Sequence, residues 1–231
     1  MNATLTREET EPACQKSDPP LAKRQSAQAP TPSAAQIFLE LASFRARVPR
    51  IAVEEYHRQS ERNINGRRTE LIRGIVIEKM AKSPLHGTIA TRLHEHTLKL
   101  LPQGFCVRKE EPLTLRDSEP EPDVSILRGD LNDYLHSHPT SAALVAEVAV
   151  TSAEEDREQA YLYAENGVEE YWIVLPRESA VEVYRMPENG RYREMRLFTR
   201  DETLECRSVP GVSIALGELF AGIDPTAGSE R

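Results

Sequence analysis

A chain of 231 residues with a net charge of −8 has room for one domain and a sizeable core, but no global basic field to attract nucleic acid. Three widely spaced cysteines, Cys14, Cys106 and Cys206, make neither a disulfide framework nor a zinc pattern. No apolar run approaches the ~18–20 residues of a membrane helix and no signal-peptide pattern opens the chain, so the expected setting is a reducing cytoplasm, with no membrane partner.

Residues 1–34 are rich in Pro, Ala, Ser, Gln and charge and contain no aromatic residue. Such a stretch cannot bury enough surface to offset chain entropy, and it is expected to be a disordered tail. Ile37, Phe38, Leu41 and Phe44 fall at helical spacing, and Ala52–Tyr56 is expected to form a second short helix. Asn63–Arg68 reads as a polar turn. Thr69–Met80 reads as a hairpin, with β-branched runs on either side of Arg73-Gly74. A helix should start at Lys82-Ser83-Pro84 and run from Leu85 to about Leu101, with Ile89, Leu93 and Leu100 on its core face. Phe105–Val107 and Pro112–Leu115 are expected as strands, followed by a turn into a central strand at Asp123.

Residues 128–141 read as a polar loop with one turn of helix at 131–135. Ala143–Val150 is a continuous apolar strand of the kind buried on both faces. Ser152-Ala153-Glu154-Glu155 matches a capping box, and Gly167 closes the helix that it opens. Glu170–Leu175 is the next strand. Ala180–Arg185 and Arg193–Phe198 should pair across Pro187–Gly190, Leu204–Ser208 should form a short edge strand, and Leu216–Phe220 a last helical turn. Residues 226–231 are expected to fray, leaving a single domain over 35–225.

Two carboxylates stand in this apolar framework, Asp123 and Glu147. Carboxylates are costly to bury, so two on neighbouring strands suggest an oxygen-coordinated cation such as Mg²⁺ or Mn²⁺. The structural alternative is that each pairs with an arginine or caps a loop. Glu70 could add a third carboxylate or simply face solvent. Gln159 and Tyr163, with Glu155 or Asp156, share one face of the helix after Glu147, and that face could look back at the carboxylates. For Tyr163 a core role is favoured. His94 and His96 point about 200° apart on their helix, so they are no chelating pair. His86, at a helix start, could position an anion. No Gly-rich phosphate loop, Gly-x-Ser-x-Gly elbow or His-Glu-x-x-His stands in the sequence.

Several stretches together resemble one family. They are Val53-Glu54-Glu55-Tyr56, Glu70-Leu71-Ile72-Arg73-Gly74, His86, Glu121-Pro122-Asp123-Val124, Leu144–Val148 and Tyr163–Val174. In that order and spacing the chain is similar to the Uma-type restriction endonucleases, a bacterial group assigned to the PD-(D/E)XK nuclease superfamily. The resemblance implies an α/β fold: a restriction-endonuclease-like mixed β-sheet flanked by helices, with an αβββαβ core. It implies an endonuclease that hydrolyses DNA phosphodiester bonds with Mg²⁺ or Mn²⁺. Asp123 and Glu147 would be the metal ligands, joined by the carbonyl of Val148, with Glu70 as an upstream acid. It also implies a homodimer. The departure is the lysine: superfamily members carry it at the position of Ala149, this family at that of Gln159. Lys79, Lys82 or Lys109 could substitute from elsewhere. The competing expectation is a degenerate nuclease fold that serves as a DNA-binding or protein-interaction module. A working nuclease should surround Asp123 with a basic rim, for which Arg73, Arg92, Lys109 and Arg157 are the candidates.

Overall fold

The computed structural model describes residues 46–61 and 68–223, together with Met1. The expected tail over 1–34, most of the first expected helix, most of the Asn63–Arg68 turn and the C-terminal end lie outside the described residues. Chain contacts separate a unit Met1–Arg47 from a unit Val48–Arg231, and all described secondary structure lies in the second.

That unit opens with helix α1 (Val53–Glu61) and the hairpin β1 (Thr69–Ile72) and β2 (Ile75–Glu78). Arg73 and Gly74 both take positive φ, 54° and 78°, as a two-residue turn matched to strand twist requires. Gly74 has a second reason to lack a side chain: a Cβ there would stand 2.9 Å from the Cβ of Arg50. Helix α2 (Pro84–Leu100) starts as its sequence dictates, with Pro84 in the first turn and the Ser83 hydroxyl accepting the His86 N–H at 3.2 Å. Its buried face is Ile89, Ala90, Leu93 and Thr97. The expected core position Leu100 is instead 38% exposed: in the last turn Thr97 takes the buried position, and Leu101 just beyond the helix packs against the core.

The core is a six-stranded sheet in the order β3-β4-β5-β6-β7-β8, made of β3 (Phe105–Lys109), β4 (Val124–Arg128), β5 (Leu144–Val148), β6 (Glu170–Leu175), β7 (Ala180–Glu188) and β8 (Arg191–Thr199). Only β5 and β6 are parallel, and helix α3 (Ala153–Glu165) makes the crossover that such a pair needs. A 3-10 turn (Leu131–Tyr134) interrupts the loop after β4. Two short strands, β9 (Thr203–Glu205) and β10 (Ser213–Ala215), pair with each other, and a last turn α4 (Leu216–Leu219) follows. The architecture is the expected mixed sheet flanked by helices.

Alternation along the strands builds two cores. Val124, Ile126, Ala146, Val148, Trp172 and Val174 face α2 and the C-terminal segment. Leu127, Val145, Tyr171 and Ile173 face α3. Pro112–Leu115 is not a strand: Leu113 and Leu115 are buried in the second core, but the segment's N–H groups go to turns and to Pro120 and Pro139. The edge strand expected over Leu204–Ser208 is shorter and belongs to the β9–β10 pair, which the Cys206 N–H extends by one bond to the Val212 carbonyl. Ser152 makes no capping hydrogen bond, because its backbone sits near φ −103°, ψ 10° and its hydroxyl donates to Asp156 at 2.7 Å. Among the described residues no helix is long and apolar enough to cross a membrane.

Candidate active site

The start of β4 lies beside the end of β5. Their last paired residues are Val124 and Ala146, and one step further Asp123 meets Glu147. The Asp123 N–H donates to Glu147 Oε2 at 3.1 Å, and the Val148 N–H returns a bond to Asp123 Oδ2 at 2.8 Å. Two strands thus clasp their carboxylates against each other's backbone. The two side chains open into a cleft of about 480 Å³, whose walls include Glu70, Lys79, Lys82, His86, Asp156, Gln159 and Arg177.

Each wall has a local cause. The hairpin ends bring Glu70 on β1 and Lys79 just past β2. The capped start of α2 presents Lys82 and His86. The first turns of α3 bring Asp156 and Gln159, and the β6–β7 turn brings Arg177.

Asp123 is almost fully buried, with both oxygens engaged. Lys82 Nζ donates to Oδ1 at 2.7 Å, and His86 Nε2 lies 2.9 Å from Oδ2. Burial works against the Asp123 charge, yet the His86 bond and the Lys82 ammonium hold its pKa below the ordinary value. Glu147 is the opposite case. Its Oε1 accepts only the Tyr163 hydroxyl, at 2.9 Å. Burial first, and then the charges of Asp123, Asp156 and Glu70, push its pKa well above the ordinary carboxylate range. Burial likewise raises Asp156 to about 6, against the opposing bond from Ser152. The cleft therefore holds more negative charge than its own cations neutralise at Glu147.

Glu70 stands in the same cleft, bonded to Lys79 and accepting the Glu121 N–H at 3.0 Å. Gln159 lines the cleft and its amide makes no hydrogen bond among the described residues. Tyr163 is a core residue, as favoured, and its hydroxyl also reaches Glu147. His86 does position an anion, but the anion is the chain's own Asp123.

None of the four residues expected to form a basic rim lines the cleft. Arg73 pairs with Glu165 at 2.6 Å, Arg157 with Glu182 at 2.5 Å, and Arg92 binds the carbonyls of Leu219 and Ala221. Lys109 donates to Thr91. The cations actually present are Lys79, Lys82 and Arg177. Arg177 carries no sequence signal, since only the β6–β7 turn aims it here.

The family model Uma2, described as "Putative restriction endonuclease", matches residues 53–217. The chain belongs to this family. The match takes in Glu70, Asp123, Glu147 and Gln159, and with them every residue that lines the acidic cleft. Among solved structures the Uma2 chain is similar to a protein of Anabaena variabilis ATCC 29413, described as a putative nuclease belonging to DUF820. The two share 18% identity and superpose with a TM-score of 0.62, over 74% of this chain and 97% of the other. At that identity the likeness speaks for the fold. No curated protein matches the chain.

The donor set fits a hard divalent cation. Among the described residues no group of three or more His, Cys, Asp or Glu stands at metal-binding spacing. Two carboxylates are nonetheless what Mg²⁺ takes from a protein when waters and substrate phosphates complete its shell. Glu147, raised by the like charges around it, is the group such an ion would relieve.

Proposed function

We propose that this Uma2 chain is a divalent-cation-dependent endonuclease acting on DNA, with Asp123 and Glu147 as the carboxylate ligands and the Val148 carbonyl as a further one. The observation that carries this reading is the clasp of Asp123 against Glu147 in the wall of the cleft. Mg²⁺ or Mn²⁺ held there would supply Lewis acidity and lower the pKa of a bound water.

The chain's own residues do the rest. A water oxygen bonds to phosphorus, one phosphorus–oxygen bond to a sugar breaks, and a water proton ends on the departing sugar oxygen. The free amide of Gln159 accepts from and orients the attacking water. It brings no charge to the phosphate, and losing an electrostatic group of this kind costs about 3–4 kcal/mol of transition-state stabilisation. His86 holds Asp123 in register from its second oxygen. Glu70 keeps Lys79 in place beside the cleft. Cutting both strands calls for two copies of the chain, and a bacterial cytoplasm is the compartment this reading implies.

A second reading, a nuclease fold that binds DNA or a protein without cutting, draws on one observation. Lys82, His86 and the Val148 N–H already satisfy both oxygens of Asp123.

Titration calorimetry of Mn²⁺ and Mg²⁺, with the Asp123→Ala/Glu147→Ala double variant alongside, separates the two. The nuclease reading expects one saturable site that vanishes in the variant, and cation-dependent plasmid nicking that vanishes with it. A wild-type chain that nicks no DNA with either ion supports the second reading.

A further inference from the structure

The cleft holds two lysines, and they are not equivalent. An ammonium has three N–H donors. Lys79 has three acceptors around it: Glu70 Oε1, Glu121 Oε2 at 3.1 Å and the Glu121 carbonyl at 3.3 Å. Its side chain is 11% exposed. Nothing of its donor capacity is left for a ligand. Lys82 meets two acceptors, Asp123 Oδ1 at 2.7 Å and Glu110 Oε1 at 3.3 Å, and its side chain is 24% exposed. One N–H remains, next to the carboxylate at the centre of the cleft.

The other lysine positions are closed. Ala149 is buried in the core facing α3 and has no polar group to offer. Lys109 is held by Thr91 and does not line the cleft. Gln159 does line it, uncharged and without a hydrogen-bond partner among the described residues.

Resting on the nuclease reading, we propose that Lys82 is the catalytic lysine of this cleft: it donates its free N–H to the non-bridging oxygen of the scissile phosphate, while Gln159 keeps only the task of orienting water. A charge that helix α3, with Gln159, does not provide is supplied from the loop before α2, across the cleft. Lys82 takes part by charge and hydrogen bond alone, and no proton leaves it in the step. The contact with Asp123 explains how it is kept in place before substrate arrives. Its three-carbon reach beyond Cβ lets the ammonium move from one oxygen to another without backbone change. Glu110 helps: its φ of 55° turns the chain after β3 so that its carboxylate faces Lys82.

The test uses the full chain and four proteins: wild type, Lys82→Met, Lys82→Arg and Lys82→Met/Gln159→Lys. Nicking of supercoiled plasmid is measured with Mn²⁺ and Mg²⁺, together with Mn²⁺ affinity by calorimetry and the thermal midpoint. Lys82→Met should lower the nicking rate about 100-fold, in the range for one lost electrostatic donor. Its Mn²⁺ affinity should hold or tighten, since an ammonium no longer competes for Asp123. Lys82→Arg should keep the rate within about tenfold. A lysine restored on α3 in the double variant should recover at least tenfold of the loss, which a merely structural role for Lys82 would not allow. Nicking by Lys82→Met within threefold of wild type overturns the proposal and leaves the nuclease reading intact. So does a double variant that recovers nothing. A wild type that does not nick removes the nuclease reading, and the proposal falls with it.

Discussion

The sheet buries carboxylates at both of its ends, and it treats them differently. At the start of β6, Glu170 is paired across the ladder with Arg185, whose Nε donates to its Oε1. The Arg207 N–H adds bonds to both Glu170 oxygens, and Arg185 Nη2 donates to the Glu205 carbonyl at 2.6 Å. Every charge there has its counter-charge. At the end of β5, Glu147 has a hydroxyl and a backbone N–H, and three carboxylates for company. The first arrangement is complete as it stands. The second is stable in its present form only by holding a proton or gaining a cation, which is what distinguishes a candidate site from a structural ion pair.

The largest effect should come from breaking the complete end. Arg185→Met leaves Glu170 buried without its partner, and should cost about 3–5 kcal/mol of stability in urea denaturation at neutral pH. A loss below about 1 kcal/mol would mean that Glu170 is not the matched group described here.

At the incomplete end the sign should reverse. Asp156 has a folded-state pKa of about 6 against an ordinary value of 3.8. A raised carboxyl pKa means that the folded chain holds a proton that the unfolded chain releases. The group therefore opposes folding above about pH 6, and the penalty fades as pH falls through the window to about 4. Asp156→Asn keeps an acceptor for Ser152 and should stabilise the metal-free protein at pH 7.5 by up to about 3 kcal/mol. The gain should shrink to near zero by pH 4. A variant that is equally stable or weaker at pH 7.5 would show that the cleft carries no such excess charge.

The smallest effect concerns the approaches to the cleft. Arg177 is exposed, and among the described residues it has no ion-pair partner. Arg177→Ala should leave the thermal midpoint unchanged. It should weaken binding to duplex DNA by roughly 3–10-fold and lower the slope of log affinity against log salt by about one. An unchanged slope would place the nucleic acid elsewhere.

What the sequence determined by itself is local or periodic. Arg73-Gly74 and Asn189-Gly190 announce their hairpins because few residues tolerate positive φ in succession, and all four adopt it. Ser83-Pro84 announces α2 through capping chemistry. The apolar run around Glu147 and the Pro122-Asp123 step placed two carboxylates on adjacent strands, and antiparallel register was enough to bring them together. The capping box at Ser152 failed for a local reason of its own: its backbone sits near φ −103°, ψ 10°, and its hydroxyl is turned to donate to Asp156 one turn on.

What only the tertiary structure decided is which charges cancel. Arg73, Arg92 and Arg157 looked available in the sequence, and each is spent on a partner 25 to 129 residues away. Lys79 and Lys82 differ by three positions, yet one is caged by β1 and the Glu121 segment while the other keeps a donor in the cleft. Arg177 reaches the site only because β6 ends and β7 begins there. Secondary structure follows from short-range sterics and hydrophobic period, which the sequence displays. The state of a charge follows from whatever long-range packing sets beside it, and one-dimensional spacing holds no record of that.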